Sequence, residues 1–173
     1  MNLNMKKILF CLYLISFSSF VYAGSGKFSV IKGDKNILKE NVSAILEIDN
    51  SKAMWEGESY EQFCGNDYQE RTEGSLLAFT NSFNESSKGL RITNNEQAKY
   101  KIIIVVHKYL RKIRTFYKGE VMIWCTINLI DLNTGNECLK IEVEKAGGDT
   151  DYTIHEGIYK CFSAMAKRVN NIK

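Results

Sequence analysis

The feature that most constrains the fold of this 173-residue chain is a run of five β-branched apolar residues, Ile102–Val106. The run is short and has no polar face. Runs of this length and composition are typical of a strand that is buried on both faces, or nearly so. We therefore expect a central strand, entered at Ala98 and continued to Tyr109, around which the other elements are arranged.

The first 23 residues form a separate segment. Lys6 and Lys7 precede an uncharged apolar run, Ile8–Phe20, and small or modest residues follow at Val21–Ala23. This is the pattern of a cleaved export signal. The apolar run is shorter than the ~20 residues that span a bilayer, so we expect no membrane span after cleavage. The expected mature domain covers residues 24–173 and is either periplasmic or secreted.

Removal of the signal changes the charge balance. The whole chain carries 23 basic and 20 acidic residues, and the signal contains two of the basic ones, which leaves 21 against 20. A nearly neutral chain lacks the basic surplus that is typical of nucleic-acid-binding proteins, so no nucleic-acid partner is expected. The remaining length of about 150 residues is sufficient for one domain with its own core.

The hydrophobic spacing predicts the order β-α-β-β-β-α for the main elements. A strand at 44–49 precedes a capping box at Ser59–Gln62, and a helix is expected over about 67–84. After the central strand, period-two alternation predicts a meander, a loop is expected at Gly147–Asp151, and a helix ends the chain. The order predicts an α+β fold, a two-layer α/β sandwich with a mixed sheet and both helices on one face.

Four cysteines follow the expected cleavage site, and an oxidising compartment favours disulfides. Cys64 and Cys161 lie on the apolar stripes of two helices that are expected to pack side by side. We therefore predict a Cys64–Cys161 disulfide. Cys125 and Cys138 lie on neighbouring strands with side chains on opposite faces and out of register, so both are predicted to be free thiols.

Four apolar residues outside the core pattern belong to a candidate binding surface. Met54 and Trp55 lie in a polar segment, where they either cap one end of the core or form an exposed contact. Met122 and Trp124 point to the outward side of their strand. Since a meander leaves one sheet face without helices, Trp124 is expected to contact a partner or to lie in a dimer seam.

A cluster of basic and aromatic residues after the central strand completes this candidate surface: Arg111, Lys112, Arg114, Tyr117 and Lys118. Such a cluster could bind phosphate or an anionic glycan. It also fits a hairpin with basic residues on its solvent side, where lysines discourage association between sheet edges. Both interpretations stay open.

Catalytic chemistry has little support in the sequence. His107 lies at the end of the central strand and His155 in the first turn of the last helix, and neither is accompanied by a nucleophile motif. No phosphate loop or dinucleotide fingerprint is present, and the cysteines lack the C-x-x-C spacing of a zinc site. We expect no metal, no cofactor and no catalytic residue, although a hydrolase built on either histidine stays open.

Four stretches carry a resemblance to known proteins: ILEIDNSKAMWE at 45–56, FCGNDY at 63–68, AKYKI at 98–102 and IDLNTG at 130–135. Over most of the mature chain, they resemble a group of small exported proteins of Gram-negative bacteria that have no assigned function. The element order and the Ala-x-Tyr-x-Ile entry to the central strand are also similar to periplasmic CsgG-like and TolB N-terminal domains. The resemblance implies an assembly or interaction domain of the envelope, without the lipobox and pore-forming segments of the curli channel. No catalytic residue carries over.

The leading hypothesis is a non-catalytic domain of the cell envelope, periplasmic or secreted, that binds a protein or a glycan partner. A homodimer through the open sheet face is one form of this hypothesis. The alternatives are a secreted hydrolase that uses His107 or His155, and a carrier of a small apolar ligand between the sheet and the helices, which would require a large internal pocket.

Overall fold

The structure, a computed structural model, describes residues 26–95, 97–113, 119–150 and 153–172. The expected export signal at 1–23 lies outside the described residues. The strands are β1 (Lys27–Gly33), β2 (Ser43–Asp49), β3 (Met54–Trp55), β4 (Glu58–Ser59), β5 (Arg91–Ile92), β6 (Tyr100–Ile113), β7 (Gly119–Asp131) and β8 (Glu137–Thr150). The helices are α1 (Tyr60–Cys64), α2 (Tyr68–Ser86) and α3 (Ile154–Val169), with short 3-10 turns at Lys35–Lys39 and Gly65–Asp67.

The strands form one mixed sheet in the order β1-β8-β7-β6-β2-β5. The pairs β2–β6 and β2–β5 are parallel, whereas β6, β7, β8 and β1 pair antiparallel in sequence. The parallel pair aligns Leu46 with Ile102 and Ile48 with Ile104. The prediction of an α+β sandwich with a mixed sheet and two helices on one face is therefore confirmed.

The run at Ile102–Val106 lies inside β6, which has partners on both edges. Its inward side chains are buried, as Ile104 and Val106 are fully inaccessible to solvent, whereas Ile103 and Val105 on the other face are half-buried. The helices of the described residues cover only the inner face. The central strand is thus completely buried on one face and partly exposed on the other.

Helices α2 and α3 pack against each other and cover the inner face of the sheet. Phe79 and Phe83 of α2 and Phe162 and Met165 of α3 are fully buried there. The helix predicted over about 67–84 is observed at Tyr68–Ser86. Burial of large aromatic side chains of this kind stabilises each by about 1.5–3 kcal/mol relative to exposure.

The prediction of a loop at Gly147–Asp151 is wrong for residues 147–150, because β8 continues to Thr150. Asp151 lies outside the described residues. Gly147 and Gly148 pair with Met122 and Val121 of β7. A Cβ atom on Gly148 would lie 2.4 Å from the carbonyl oxygen of Gly157 in α3. The glycines therefore serve close packing between strand and helix, and glycine composition alone does not distinguish that role from a loop.

The predicted Cys64–Cys161 disulfide is also wrong, since both residues are free thiols, as are Cys125 and Cys138. The helical pattern is broken at Gly65, where φ is +55°. Cys64 therefore ends the short helix α1 and does not belong to α2, the helix that packs beside α3. The Cys161 thiol instead donates a hydrogen bond to the carbonyl oxygen of Val121, 3.1 Å away.

A small apolar void lies in the core between the sheet and the helices. Its volume is about 10 Å³, close to the lower limit for a single water molecule. Its lining consists of Leu38, Phe79, Phe83, Ile102, Ile127, Leu129, Leu139, Ile141 and Val169. A void of this size does not have the room that the carrier hypothesis requires.

Candidate interaction surface on the open face of the sheet

Two irregularities bring separate parts of the chain together on the outer face of the sheet, which the described helices leave uncovered. The chain leaves the sheet between Asp49 and Met54 and re-enters it as β3, again parallel to β6. Opposite this excursion, the β6–β7 register shifts at His107. As a result, Met54 lies beside Lys108, and Lys108 lies beside Trp124 of β7.

This row joins two segments that are 70 residues apart in the sequence. The Nζ atom of Lys108 lies 5.5 Å from the ring centre of Trp124, within the range of a cation–π interaction. Met54 is 44% exposed at the other side of the lysine. The row therefore combines an exposed thioether, an ammonium group and an indole ring on one accessible surface.

The row is continuous with further apolar residues on the same face. The register places Leu110 beside Met122, while Ile103 and Val105 lie farther along β6. We call the whole set the outer stripe: Met54, Ile103, Val105, Leu110, Met122 and Trp124. Except for Met122, which is only 7% exposed, and the exposed Met54, its members are half-buried.

Charged residues of both signs border the outer stripe. Glu47 of β2 forms an ion pair with Lys101 of β6 at 2.5 Å. On the other side, Glu142 and Glu144 of β8 are exposed beside Lys140. A surface with an apolar centre and a mixed charged margin has the anatomy of a protein–protein interface.

The other residues of the predicted surface are distributed differently. Trp55 is 3% exposed and belongs to the core, where its ring stacks on Phe63 with centroids 4.1 Å apart. Arg111 pairs with inward-facing Val121, and Lys112 pairs with Glu120, so the two basic residues lie on opposite faces of the sheet. The predicted site residues Arg114, Tyr117 and Lys118 lie outside the described residues.

Sequence reasoning missed the residues that hold β3 in place. Tyr109 is fully buried, stacks on Tyr60 with centroids 4.2 Å apart, and donates a hydrogen bond from its hydroxyl to Asn50 Oδ1 at 2.8 Å. Asn50 in turn donates to the Thr72 hydroxyl of α2. The position of Asn50, a polar residue directly after an apolar strand, was a usable signal of a buried hydrogen bond. Its partners, Thr72 and Tyr109, are 22 and 59 residues away, so the sequence did not identify them.

The two histidines occupy unrelated places. His107 is exposed on the outer face, and its Nε2 atom lies in a hydrogen bond with the Thr126 hydroxyl at 2.8 Å. His155 is half-buried at the start of α3, and its Nδ1 atom is buried without a hydrogen-bond partner. In the described part of the chain, neither histidine is hydrogen-bonded to a carboxylate, as general acid–base catalysis with an oriented imidazole would require.

The position of His155 predicts a pH dependence of stability. Burial, and then the nearby Arg71 guanidinium, lower its pKa below the ordinary 6.5, against a smaller opposing effect of Asp67 and Glu70. Just below pH 6.5, the His155 imidazole is therefore protonated in the unfolded chain but still mostly neutral in the folded chain. This contribution to stability is complete above about pH 6.5 and is lost as the pH falls toward the folded-state pKa.

We expect the urea concentration at the midpoint of unfolding to decrease when the pH is lowered from 7.5 to 5.5. The decrease should be smaller in the His155→Gln variant. The His107→Gln variant is the control for loss of a histidine as such, because the His107 ring is exposed in the folded chain. If the urea midpoint of His155→Gln decreased with pH as steeply as that of the wild type, the assignment of this pH dependence to His155 would be contradicted. Asp34, Glu40 and Asp49, whose pKa values are lowered by hydrogen bonds, contribute only at lower pH.

Among the described residues, no group of three or more histidine, cysteine or acidic side chains is placed to hold a metal ion. Within the same ranges, none of the helices is long and apolar enough to cross a membrane. The chemistry available on this surface is that of apolar, aromatic and charged contacts.

The fold and this surface define a class: a two-layer α+β sandwich whose outer sheet face carries an apolar stripe. No family model and no curated protein matches the chain. Among solved structures, the chain is similar to the PelC dodecamer from Paraburkholderia phytofirmans, with a TM-score of 0.50 and 15% identity over 83% of this chain and 94% of PelC. At this identity the likeness shows the fold.

Two further solved structures, which match the chain with lower TM-scores, are bacterial lipoproteins. One is a lipoprotein from Neisseria meningitidis, with a TM-score of 0.38 and 12% identity over 75% of this chain and 99% of the other. The second is a minor lipoprotein from Acinetobacter baumannii, with a TM-score of 0.35 and 12% identity over 76% of this chain and 92% of the other. The resemblance to CsgG-like and TolB N-terminal domains stays a prediction.

Proposed function

We propose that the mature chain is a non-catalytic interaction domain of the bacterial cell envelope, periplasmic or secreted, that binds a protein partner through the outer stripe. The observation that carries the proposal is the row Met54–Lys108–Trp124, which joins two distant segments on the sheet face that the helices leave open. The export signal that the sequence predicts at residues 1–23 supports the envelope location.

A second copy of the chain is the partner that we propose to test first. PelC, which has a similar fold, is a dodecamer. PelC is therefore an example of a protein with this fold that assembles with copies of itself. The margin of the outer stripe carries both signs of charge, Glu47 and Glu142 against Lys101 and Lys140. Such a margin is compatible with the self-complementary contact of a two-fold dimer.

The size of the open face is also adequate. Strands lie about 4.8 Å apart and rise about 3.3 Å per residue, so four strands over about ten residues span ~600 Å² in flat projection. A standard interface buries about 800 Å² of accessible surface on each partner, and a corrugated face has more accessible surface than its projection. Face-to-face packing of two sheets is a common arrangement at a spacing of about 10 Å.

Replacement of Trp124 by serine tests this function. We expect Trp124→Ser to weaken self-association at least tenfold, because an indole at the centre of an apolar interface contributes about 2 kcal/mol or more. The measurement is the dissociation constant from sedimentation equilibrium of the mature protein. The melting temperature should stay close to that of the wild type, since the side chain is only half-buried in the monomer.

Leu77→Ser is the matched control. Leu77 is a large apolar residue of α2 that is 59% exposed and lies away from the outer face, so its replacement should leave association unchanged. A sharp fall in melting temperature for Trp124→Ser would instead assign Trp124 to the core. A monomeric wild type that binds envelope glycans, with binding lost in Trp124→Ser, would assign the face to a glycan partner.

A further inference from the structure

The two edges of the sheet differ in their protection against pairing with another chain. At one edge, the register of β1 shifts between Val30 and Lys32, and the side chains of Lys27 and Lys32 are exposed. A bulge and exposed lysines discourage an edge strand from pairing. At the other edge, β5 pairs with only the first two residues of β2. In the described part of the chain, residues 45–49 of β2 therefore have no strand partner on that side.

The hydrogen bonds beside β5 identify the backbone groups that face this open edge. The N–H group of Thr93 donates to the carbonyl oxygen of Ala44 at 2.8 Å. Successive residues of a strand direct their backbone groups to opposite edges, and the β2–β6 register is regular from Ala44 onward. Leu46 and Ile48 therefore face the same edge as Ala44. Among the described residues, no backbone hydrogen bond joins either of them to a segment on this side.

Helix α2 lies beside the open edge. Four of its residues follow one another at intervals of four and form a row along the helix: Thr72, Leu76, Thr80 and Asn84. The first accepts a hydrogen bond from Asn50, the residue after β2. The last bonds both the N–H and the carbonyl oxygen of Ile92 in β5, at 2.8 Å each. Because both ends of the row contact the sheet, its middle lies beside the stretch of β2 that β5 leaves open.

The side chains along this stretch define the chemistry of an added strand. On the inner face, the strand would meet Leu46, which is half-buried, and Ile48, so apolar residues fit there. On the outer face it would meet Glu47 and Asp49, and the Glu47 side chain is 50% exposed. The ion pair with Lys101 uses Glu47 Oε2, so Oε1 can accept from a second cation. An extended segment in which apolar and basic residues alternate is therefore complementary to this edge.

A second copy of the chain is less complementary to this edge. Antiparallel pairing of two β2 strands through Leu46 and Ile48 would place the two Glu47 side chains directly opposite each other. Like charges at directly opposite positions destabilise a sheet, whereas opposite charges stabilise it. The charge at Glu47 thus favours a foreign basic segment over a second β2.

We propose that the open edge of β2 binds an extended segment of a partner protein, with alternating apolar and basic residues, as an additional strand of the sheet. The backbone of the segment pairs with Leu46 and Ile48, and its basic side chains lie against Glu47. In strand addition of this kind, backbone hydrogen bonds supply affinity and alternate side chains supply specificity. The site is separate from the outer stripe and does not depend on the function proposed above.

A synthetic peptide with alternating valine and lysine residues is the probe. Its binding to the folded full-length chain is measured by fluorescence anisotropy of a dye on the peptide. We expect saturable binding, and an affinity at least about threefold lower for the peptide in which glutamate replaces lysine. Absence of binding by the lysine peptide, or equal affinity for the two peptides, would overturn the proposal.

Two N-methylated peptides test whether the backbone pairs with the edge. One carries the methyl group on every valine nitrogen and the other on every lysine nitrogen, so each has donors on only one edge. Since only one edge of the peptide faces β2, one methylated peptide should lose binding and the other should retain it. Equal affinities of the two methylated peptides would contradict strand addition.

Glu47→Lys should weaken binding of the lysine peptide and strengthen binding of the glutamate peptide. Glu142→Lys is the matched control, because Glu142 is an exposed residue of β8, three strands away from β2. An equal loss of binding in both variants would indicate non-specific charge attraction and would overturn the proposal. If Glu47→Lys fails to fold, the methylated peptides decide the outcome.

Trp124→Ser separates this site from the outer stripe. The variant should bind the lysine peptide with the affinity of the wild type, whether or not the outer stripe mediates self-association. If the wild type and Trp124→Ser both formed dimers that the peptide dissociated, the edge would be assigned to a second copy and the proposed partner would be wrong.

Discussion

The Tyr109→Ala variant is expected to lose about 3–5 kcal/mol of unfolding free energy, the cost that is typical of removing a fully buried aromatic side chain. Tyr109 is completely inaccessible to solvent, and its ring stacks on Tyr60 and lies 6.2 Å from Trp55. Removal of the ring would leave a cavity between β6, α1 and β3. The measurement is urea unfolding at neutral pH, followed by tryptophan fluorescence.

The Tyr109→Phe variant separates the hydroxyl from the ring. It keeps the stack on Tyr60 but removes the donor to Asn50 Oδ1, so we expect a loss of about 1–3 kcal/mol, the penalty for a buried polar atom without a partner. The control is Tyr68→Ala, because Tyr68 is half-buried and should cost less than Tyr109→Ala. A Tyr109→Ala variant as stable as the wild type would contradict the packing of this cluster.

The second large effect is expected at Gly148, where alanine should destabilise the protein by about 3 kcal/mol through overpacking. The new Cβ atom would lie 2.4 Å from the Gly157 carbonyl oxygen and 2.6 Å from the Cys161 nitrogen. Both are backbone atoms of α3 and cannot move without displacing the helix. The expected readout is a lower midpoint of urea unfolding.

Gly74→Ala is the matched control for this substitution. The nearest atoms to a Cβ at Gly74 belong to the end of the Tyr159 side chain, 2.5 Å away, which can rotate. Alanine is favoured over glycine in a helix interior by about 1 kcal/mol, so the net change should be small. If Gly148→Ala unfolded at the wild-type midpoint, the close approach of α3 to β8 would be refuted.

The sequence predicted the main elements because their signals are local. The β-branched run at Ile102–Val106 became the centre of the sheet, and the alternation in β7 placed Ile123, Cys125 and Ile127 on the buried face. The capping box at Ser59–Gln62 is present, and the Ser59 hydroxyl accepts a hydrogen bond from the backbone N–H of Gln62. In each case, the side chains that decide the outcome lie within a few residues of one another.

The failed predictions depended on contacts between distant segments. The disulfide failed because one positive-φ glycine, Gly65, separates Cys64 from the helix that packs beside α3. The loop failed because Gly147 and Gly148 permit a close approach of α3. The effect of Gly148 is set by packing partners that are remote in the sequence, whereas Gly65 acts through its positive φ and has open space around its Cα atom.

The candidate site divides in the same way. Trp124 was predicted to point outward from its own strand, and it does so because side chains alternate along any strand. Met122 follows the same alternation, yet it is only 7% exposed and lies between Leu110 of β6 and Gly147 of β8. Alternation predicts direction, whereas exposure also depends on the strands on either side.

The sequence by itself determined the elements of this protein, their order and the face that each strand buries, because hydrophobic periodicity acts over a few residues. Only the tertiary structure decided that Met54 meets Lys108 and Trp124 on one open surface, and that Cys64 and Cys161 stay free thiols on separate helices. These outcomes arise from a strand excursion at Asn50, a register shift at His107 and a helix break at Gly65. A local irregularity changes which distant residues meet, and the free energy of those contacts appears only when the segments pack together.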